Sequence, residues 1–288
     1  MLSEKYVTPG MNTMDSIQNR ISVRRYSDSA IDDYSRQEME RCLQSAGEGP
    51  FGSKPRFKML NIKPLSRDEQ NKLGSYGFIR GAHLYILGAV KDQEGALIDL
   101  GFCMEKIILK ATRLGLETCW LGGTFKRTAF ASKMDLADEE LLPAITPVGY
   151  AAKEIPAEKR KARFKPGSKK RRPWTKLFFE ADGKTPLTEK AAGPFSGPLE
   201  AVRMAPSTSN RQPWRIIKES EGCFHLYLKE HKIINRFLSK IQLQNIDMGI
   251  VMCHFDLVAR ERGLPGQWLK SFAGSELSGL QYIATWKK

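Results

Sequence analysis

The longest hydrophobic stretches of this chain follow a helical pattern. Residues 96–114 and 240–262 carry apolar side chains on most faces, which is typical of buried helices. Weaker helical periodicity predicts further helices near 15–24, 34–46 and 197–204. Short β-branched and apolar runs predict strands near 57–62, 83–90, 144–149, 214–218, 223–228 and 281–286. Helices interspersed with short strands predict an α+β fold.

The chain also contains an internal repeat. Residues 98–104 (IDLGFCM) and 246–252 (IDMGIVM) align without gaps at an offset of 148 residues. The same offset matches Trp120 with Trp268. We therefore expect two tandem half-repeats that form an intrachain pseudo-dimer, as if a symmetric dimer had been fused into one chain. The predicted boundaries are 1–149 for the first half, 150–180 for a basic connecting segment and 181–288 for the second half.

Composition narrows the class of protein. The 288 residues are 41% hydrophobic and 27% charged, as in soluble globular proteins. No apolar run is long enough to span a membrane, and the N-terminus lacks the apolar core of a signal peptide, so we expect a cytoplasmic protein with no membrane partner. None of the five cysteines forms a C-x-x-C pair, so free thiols are expected, with Cys103 and Cys253 buried. The four histidines show no metal-ligand spacing, and no metal site is predicted.

The net charge of +14 is concentrated in one segment. Residues 151–176 contain eleven Lys/Arg and two acidic residues. Such a run is usually a solvated loop, and it has too few aromatic residues for stacking on bases. A nucleic-acid-binding module built on this segment remains an alternative function.

Residues 204–214 (MAPSTSNRQPW) combine chemistry with a constrained backbone. Pro206 and Pro213 prevent a continuous helix, and the short polar side chains between them suit the binding of a polar, planar ligand. An ordinary helix-to-strand loop would also explain the composition. The corresponding first-half loop, residues 49–55 (GPFGSKP), is two residues shorter and has no polar equivalent of Asn210, Gln212 and Trp214.

A second candidate site lies near the N-terminus, where residues 20–26 (RISVRRY) combine three guanidiniums with the hydroxyl of Ser22. Arg20 and Arg24 are four residues apart and would share one face of a helix. The planar fork of arginine suits phosphate because it donates two parallel hydrogen bonds. A solvated basic end of a helix is the alternative interpretation.

Three motifs resemble those of the flavin-dependent nitroreductase family: R-x-S-x-R-x-Y at 20–26, G-L-x-x-x-W-x-G-G at 115–123 and P-S-x-x-N-x-Q-P-W at 206–214. The family's usual order puts the P-S-x-x-N loop second, so this chain departs from it. The resemblance covers most of residues 15–268. The first and last motifs lie in different halves. This arrangement resembles the putative TM nitroreductase branch, in which one chain corresponds to the whole dimer. The resemblance implies a nitroreductase-like α+β fold with one FMN site between the halves.

The resemblance also implies roles for particular residues. Arg20, Ser22 and Arg24 would hold the FMN phosphate. The ribityl chain and ring would contact Pro206, Ser207, Thr208 and Asn210. The reactive N5 edge would lie near Leu121, Gly122 and Gly123. In the basic segment, Lys170, Arg171 and Arg172 resemble the family residues that close on the phosphate. Separately, Arg80, which precedes a predicted strand, is expected near the flavin pyrimidine.

No side chain is predicted to be catalytic, since the flavin carries the chemistry. The implied activity is the NAD(P)H-dependent reduction of a small electron-poor acceptor, such as a nitroaromatic or a quinone, by a ping-pong mechanism. A flavin-binding carrier or sensor without turnover is another alternative. One site per chain is compatible with a monomer, although higher oligomers remain open.

Overall fold

The structure is a computed structural model that describes residues 10–63, 66, 68, 73, 78–152, 170–230, 241–270 and 277–288. The α+β class predicted from the sequence is confirmed by two separate sheets and the helices around them. The α-helices are α1 Thr13–Asn19, α2 Asp33–Gln44, α3 Ala96–Arg113, α4 Arg127–Met134, α5 Glu189–Ala192, α6 Ser196–Met204 and α7 Leu243–Glu261. Short 3-10 turns cover Trp174–Lys176, Gly193–Phe195 and Thr208–Asn210.

The first sheet has four strands in the order β1-β2-β4-β3. Their bounds are β1 Arg56–Asn61, β2 Leu84–Lys91, β3 Glu117–Thr118 and β4 Glu140–Gly149. All three pairings in this sheet are antiparallel. The centre of β2 and most of β4 are buried, so both faces of this sheet are covered by other elements.

The second sheet has five strands in the order β5-β6-β7-β9-β8. Their bounds are β5 Phe178–Phe179, β6 Trp214–Ser220, β7 Cys223–Leu228, β8 Gln267–Leu269 and β9 Gln281–Lys287. The β5–β6 pairing is parallel, and the other three are antiparallel. The strand β5 lies within the segment 150–180 that the sequence marks as a connection. The domain boundaries themselves stay a prediction.

The two long helices α3 and α7 cross at a pair of glycines. A Cβ atom added to Gly101 would lie 2.3 Å from the carbonyl oxygen of Ile246. A Cβ added to Gly249 would overlap the carbonyl oxygen of Ile98 still more closely. These contacts are reciprocal, because Ile98 and Gly101 correspond to Ile246 and Gly249 in the repeat. A hydrophobic cluster that includes Met104, Met252 and Phe255 continues across this crossing.

Most predicted elements are found, but the helix expected at 15–24 is wrong beyond residue 19. The helix α1 ends at Asn19, and Arg20 has an extended backbone with φ −60° and ψ 116°. The following residues pair with the first sheet, since the amide of Val23 donates to the carbonyl of Thr118 at 2.9 Å. Five short elements have no predicted counterpart, namely α4, α5, β3, β5 and β8.

All five cysteines lie in the described part of the chain and are free thiols, and Cys103 and Cys253 are fully buried as predicted. Among the described residues, no helix is both long and apolar enough to cross a membrane. Most of the basic segment, residues 153–169, lies outside the described residues.

Candidate functional site

An extended segment places Arg20, Ser22 and Arg24 on one side of the backbone. Side chains in extended backbone alternate between two faces, so residues two apart share a face. All three influence the same buried thiol: burial raises the pKa of Cys119, while Arg24, Arg20 and a hydrogen bond from Ser22 lower it. The three side chains therefore all lie in the neighbourhood of Cys119, although the segment is not helical.

Arg20 is a buried cation, and two of its donor atoms have no partner in the described part of the chain. Its residue is 8% exposed, and Nε and Nη1 are buried without a hydrogen-bond partner among the described residues. Glu117 is a nearby acid, and its pKa is raised by burial and lowered by Arg20. Because buried donors in native proteins nearly always have partners, these N–H groups point to a ligand that accepts hydrogen bonds.

The guanidinium of Arg171, in the basic connecting segment, lies near Arg20. Burial, followed by the charges of Arg20 and Arg203, lowers the pKa of Arg171 to about 10. Arg203 is already paired with Glu200 at 2.6 Å. Arg171 is held by the carbonyl of Met204, to which Nε and Nη2 donate at 3.1 and 3.0 Å. Two guanidiniums that repel each other in a partly desolvated place form a site suited to an anion such as a phosphate group.

The loop that connects α6 with β6 has a strained backbone. Ser209, Asn210 and Gln212 all have φ between 52° and 54°, in the left-handed region that non-glycine residues rarely adopt. Its 3-10 turn is anchored by Asp247 of α7, whose Oδ1 accepts from the Thr208 amide at 2.9 Å and its hydroxyl at 3.1 Å. Strain of this kind persists where the surrounding structure enforces it, and it is concentrated at binding sites.

The described end of the basic segment packs onto this loop. The amide of Arg172 donates to Oε1 of Gln212 at 2.6 Å, and Nε2 of Gln212 donates to the carbonyl of Lys170 at 3.2 Å. Nδ2 of Asn210 donates to the same Lys170 carbonyl at 3.0 Å, and Nη1 of Arg171 is 3.4 Å from Asn210 Oδ1. The segment 170–172 and the loop 204–212 thus form one hydrogen-bonded unit.

The glycine pair Gly122-Gly123 contacts the beginning of α7. A Cβ on Gly122 would lie 2.7 Å from Cδ2 of Leu243, so a larger residue would press on the second half of the chain. The preceding Leu121 is buried and forms a bridge with Ile145 of β4. Arg127 fixes the loop from behind by donating to the carbonyl of Gly122 at 2.6 Å.

Arg24 and Arg80 are linked to each other through the backbone, and each has further neighbours. The guanidinium of Arg24 stacks over Phe78, with its carbon 4.6 Å from the ring centroid. Arg80 is joined to this segment through its backbone, since its amide donates to the Arg24 carbonyl at 3.0 Å. The side chain of Arg80 is exposed.

The equivalent loop of the first half has a different interior. Asp99, the repeat counterpart of Asp247, accepts from the amides of Phe51 and Ser53, each at 2.8 Å, so both of its oxygens are used. Gly49 lies against Asp99, and a Cβ there would come within 2.5 Å of its side chain. Of Asp247, by contrast, Oδ2 has no hydrogen-bond partner among the described residues, and burial raises its pKa to about 8. The two copies of this loop are therefore not equivalent.

Two sets of functional residues were not predicted from the sequence. Asp247 was visible as a polar residue in an apolar helix and as part of the repeat, but its role depends on a loop 39 residues away. A cluster of Glu219, Cys223 and His225 on the β6–β7 hairpin was also missed; its donor atoms lie within 4.8 Å of one another. Its signal was the C-x-H spacing, which places Cys223 and His225 on one face of a strand.

The fold of this chain is similar to that of solved nitroreductase structures. The crystal structure of a putative nitroreductase from Thermotoga maritima MSB8 is similar over 98% of this chain and 96% of that chain, with a TM-score of 0.63 and 20% identity. The chain therefore has the nitroreductase fold, as the motifs predicted. A nitroreductase family protein from Clostridium difficile 630 (20% identity, TM-score 0.41) matches over 53% of this chain and 93% of that chain. An FMN-dependent nitroreductase from Clostridium difficile R20291 (17% identity, TM-score 0.41) matches over 49% and 88%.

The family follows from a model that matches most of the chain. Residues 12–259 match the family described as Putative TM nitroreductase. This chain belongs to that family. No curated protein matches it.

Proposed function

We propose that this protein is an FMN-dependent oxidoreductase that uses NAD(P)H to reduce a small electron-poor acceptor, such as a nitroaromatic or a quinone. The observation that carries the proposal is the buried guanidinium of Arg20, whose Nε and Nη1 have no partner among the described residues and which lies near Arg171. Membership of the nitroreductase family supports a flavin as the ligand.

The residues present fit the phosphate of FMN. Arg20 supplies donors that the described protein does not satisfy, and Ser22 supplies a hydroxyl on the same face. Arg171 and Arg172 are fixed at the edge of the loop 204–212 by their contacts with Met204 and Gln212. Arg24 extends the positive charge of the site toward Phe78 and Arg80. Each charge-assisted hydrogen bond to the phosphate would contribute about 1.5–3 kcal/mol.

The remaining predicted residues would orient the ring. Pro206, Ser207, Thr208 and Asn210 belong to a loop whose backbone is already constrained, so little order has to be gained on binding. At Gly122 and Gly123 the absence of side chains allows close approach of a ligand and a second substrate. Bound FMN would supply hydride and electron transfer, and NAD(P)H and the acceptor would occupy the same place in turn.

The arrangement of the two halves favours one site per chain. Reciprocal packing at Gly101 and Gly249 is the contact expected of an isologous interface, which supports the intrachain pseudo-dimer. Of the two corresponding loops, only the one in the second half has Asn210 and Gln212. Asn210 bonds to Lys170, whereas the first-half loop, residues 49–55, bonds to Asp99 of its own half. The described part of the basic run is thus engaged with the second-half loop, which favours a role in the site over a free nucleic-acid surface.

The test is flavin retention by wild-type protein and by Arg20→Met. The purified chain is mixed with FMN, desalted and examined by visible absorption, and NADH or NADPH is then added without oxygen. We expect about one flavin per chain, bleached by one of the two reductants. Arg20→Met removes the buried cation but keeps an apolar stem of similar length, so FMN affinity should fall about 10- to 100-fold or more while the FMN-free fold keeps its thermal midpoint.

Arg41→Met serves as the control, because Arg41 is an exposed residue of α2 paired with Glu38. Equal flavin affinity in the Arg20 and Arg41 variants would contradict the phosphate assignment. Bound flavin that neither reductant bleaches would indicate a carrier or sensor. Absence of flavin in the wild type, together with salt-sensitive binding of DNA or RNA, would return attention to the basic segment.

A further inference from the structure

The β6–β7 hairpin of the second sheet gathers three metal-binding side chains. Cys223 and His225 are two residues apart on β7 and share a face of the strand. Glu219 lies on β6 where the register with β7 shifts between Lys218 and Ser220. Such an irregularity changes the direction of a side chain, and it is found where a strand carries a functional group.

The distances between the donor atoms suit a small metal ion. Sγ of Cys223 and Oε2 of Glu219 are 3.1 Å apart, and Nε2 of His225 is 3.5 Å from the same oxygen. Around a tetrahedral zinc ion, bonds of about 2.3 Å to sulfur and about 2.0 Å to nitrogen and oxygen would separate neighbouring donors by about 3.3–3.5 Å. The cluster therefore needs only small side-chain movements to surround an ion.

His225 is oriented by a polar partner on its far side. Its Nδ1 is 2.9 Å from Oγ1 of Thr285, and the hydroxyl of Tyr282 is 2.7 Å from the same Oγ1. In the tautomer in which Nδ1 carries the proton, Nε2 presents its lone pair toward Glu219. Histidines that bind metals almost always have such a partner, which fixes the ring and the tautomer.

The cluster combines a buried base with access to solvent. Cys223 and His225 are 6% and 4% exposed, whereas the side chain of Glu219 is 52% exposed. Lys287 is paired with Cys223 in the β7–β9 register, so its backbone borders the cluster. An ion can thus enter from the side of Glu219 and keep a water molecule as its fourth ligand.

We propose that Glu219, Cys223 and His225 form a Zn²⁺ site with three protein ligands and one water molecule. The site is built from β6 and β7 and does not depend on the flavin. In the metal-free protein, burial and the hydrogen bond to Glu219 raise the pKa of Cys223 to about 11, so the thiol is protonated. Binding therefore displaces the thiol proton to the solvent as the S–Zn bond forms.

The test is titration of the purified full-length chain with Zn²⁺ and with Co²⁺ as a spectroscopic probe. We expect about one Co²⁺ per chain, with a thiolate-to-cobalt charge-transfer band and strong d–d bands at wavelengths longer than those absorbed by a flavin. Zn²⁺ should displace Co²⁺ and should raise the thermal midpoint of the protein. Cys223→Ser should abolish the charge-transfer band, and His225→Gln should weaken Zn²⁺ binding strongly.

Thr285→Val tests the orienting contact, and a loss of about 10- to 100-fold in Zn²⁺ affinity is expected. Cys42→Ser and His83→Gln are matched controls, because these residues lie outside the cluster, and both should bind metal as the wild type does. Folding of each variant is checked by far-UV circular dichroism and by its metal-free thermal midpoint. Failure of the wild type to bind equimolar Co²⁺ would overturn the proposal, as would a charge-transfer band unchanged by Cys223→Ser.

Discussion

The crossing of α3 and α7 predicts unusually costly glycine-to-alanine substitutions. Alanine favours a helix over glycine by up to about 1 kcal/mol, so such a change normally stabilises a helix interior. At Gly249 the new Cβ would overlap the carbonyl oxygen of Ile98 and would lie 2.7 Å from the amide nitrogen of Phe102. At Gly101 it would lie 2.3 Å from the carbonyl oxygen of Ile246. All three neighbours are backbone atoms, which cannot rotate away.

The size of the effect follows from the required movement. Carbon atoms in ordinary packing approach a carbonyl oxygen to about 3.3 Å, so the helices must separate locally by about 1 Å or more. Overpacking of this kind costs about 1–3 kcal/mol, which exceeds the gain in helix propensity. We expect Gly249→Ala to lower the free energy of unfolding by about 2–3 kcal/mol and Gly101→Ala by about 1–2 kcal/mol. The double variant should lose less than the sum, because one separation of the helices relieves both contacts.

The assay is guanidinium chloride unfolding of the flavin-free chain, followed by tryptophan fluorescence and circular dichroism. Gly197→Ala is the matched control: it also lies in a helix, but its Cβ would meet the guanidinium of Arg262, an exposed side chain that can move. This control should stay within about 1 kcal/mol of the wild type. A Gly249→Ala variant as stable as the control, or strictly additive losses in the double variant, would refute the reasoning.

Buried acids on the same two helices give further predictions. The raised pKa of Asp247, about 8, means that the folded chain keeps a proton that the unfolded chain releases near pH 4. The free energy of unfolding should therefore fall as the pH rises from about 4 to about 8. Asp247→Asn should remove part of this fall when urea unfolding is measured across this range. If the free energy of unfolding of the variant and the wild type changed in parallel with pH, the prediction would be contradicted. Asp99→Asn should instead destabilise the protein at neutral pH. Both oxygens of Asp99 accept hydrogen bonds from backbone N–H groups, and the NH₂ group of asparagine would place one donor against another. Glu105 accepts a hydrogen bond from Nε1 of Trp120 at 2.7 Å and lies 2.9 Å from Nε2 of His254. Glu105→Gln can keep both contacts and should cost little, whereas His254→Ala leaves Glu105 buried without this partner and should cost about 3–5 kcal/mol in thermal or denaturant unfolding. Equal losses in the two variants would contradict this expectation.

The elements that the sequence predicted are those whose burial pattern is local. The helices α3 and α7 are apolar on nearly every face, and their neighbours along the chain suffice to identify them. The strands β3, β5 and β8 have two or three residues, too few for an alternating pattern, and they exist because they pair with longer strands. The end of α1 was misjudged for the same reason: Ile21 and Val23 continue an apolar pattern, but Val23 is bonded to Thr118, which lies far along the chain.

The candidate site shows a similar division. Its chemistry was visible in the motif around Arg20, because three guanidiniums and a hydroxyl lie within residues 20–26 and the motif resembles that of a known family. The geometry that makes Arg20 informative was not visible, since burial of its donors and the approach of Arg171 depend on contacts between distant segments. The left-handed backbone at Ser209, Asn210 and Gln212 was likewise hidden, because none of these residues is glycine.

Asp99 and Asp247 differ in a way that accounts for the single ligand site proposed for this chain. Both residues sit at the same position of a long helix and accept backbone N–H groups from the loop of their own half. In the first half the loop is short enough for both carboxylate oxygens of Asp99 to be used. In the second half the loop is two residues longer, Thr208 takes one oxygen of Asp247, and the remaining loop residues extend toward Lys170 and Arg171. Two inserted residues thus change a loop that is closed on its own helix into one that contacts the basic segment beside Arg20.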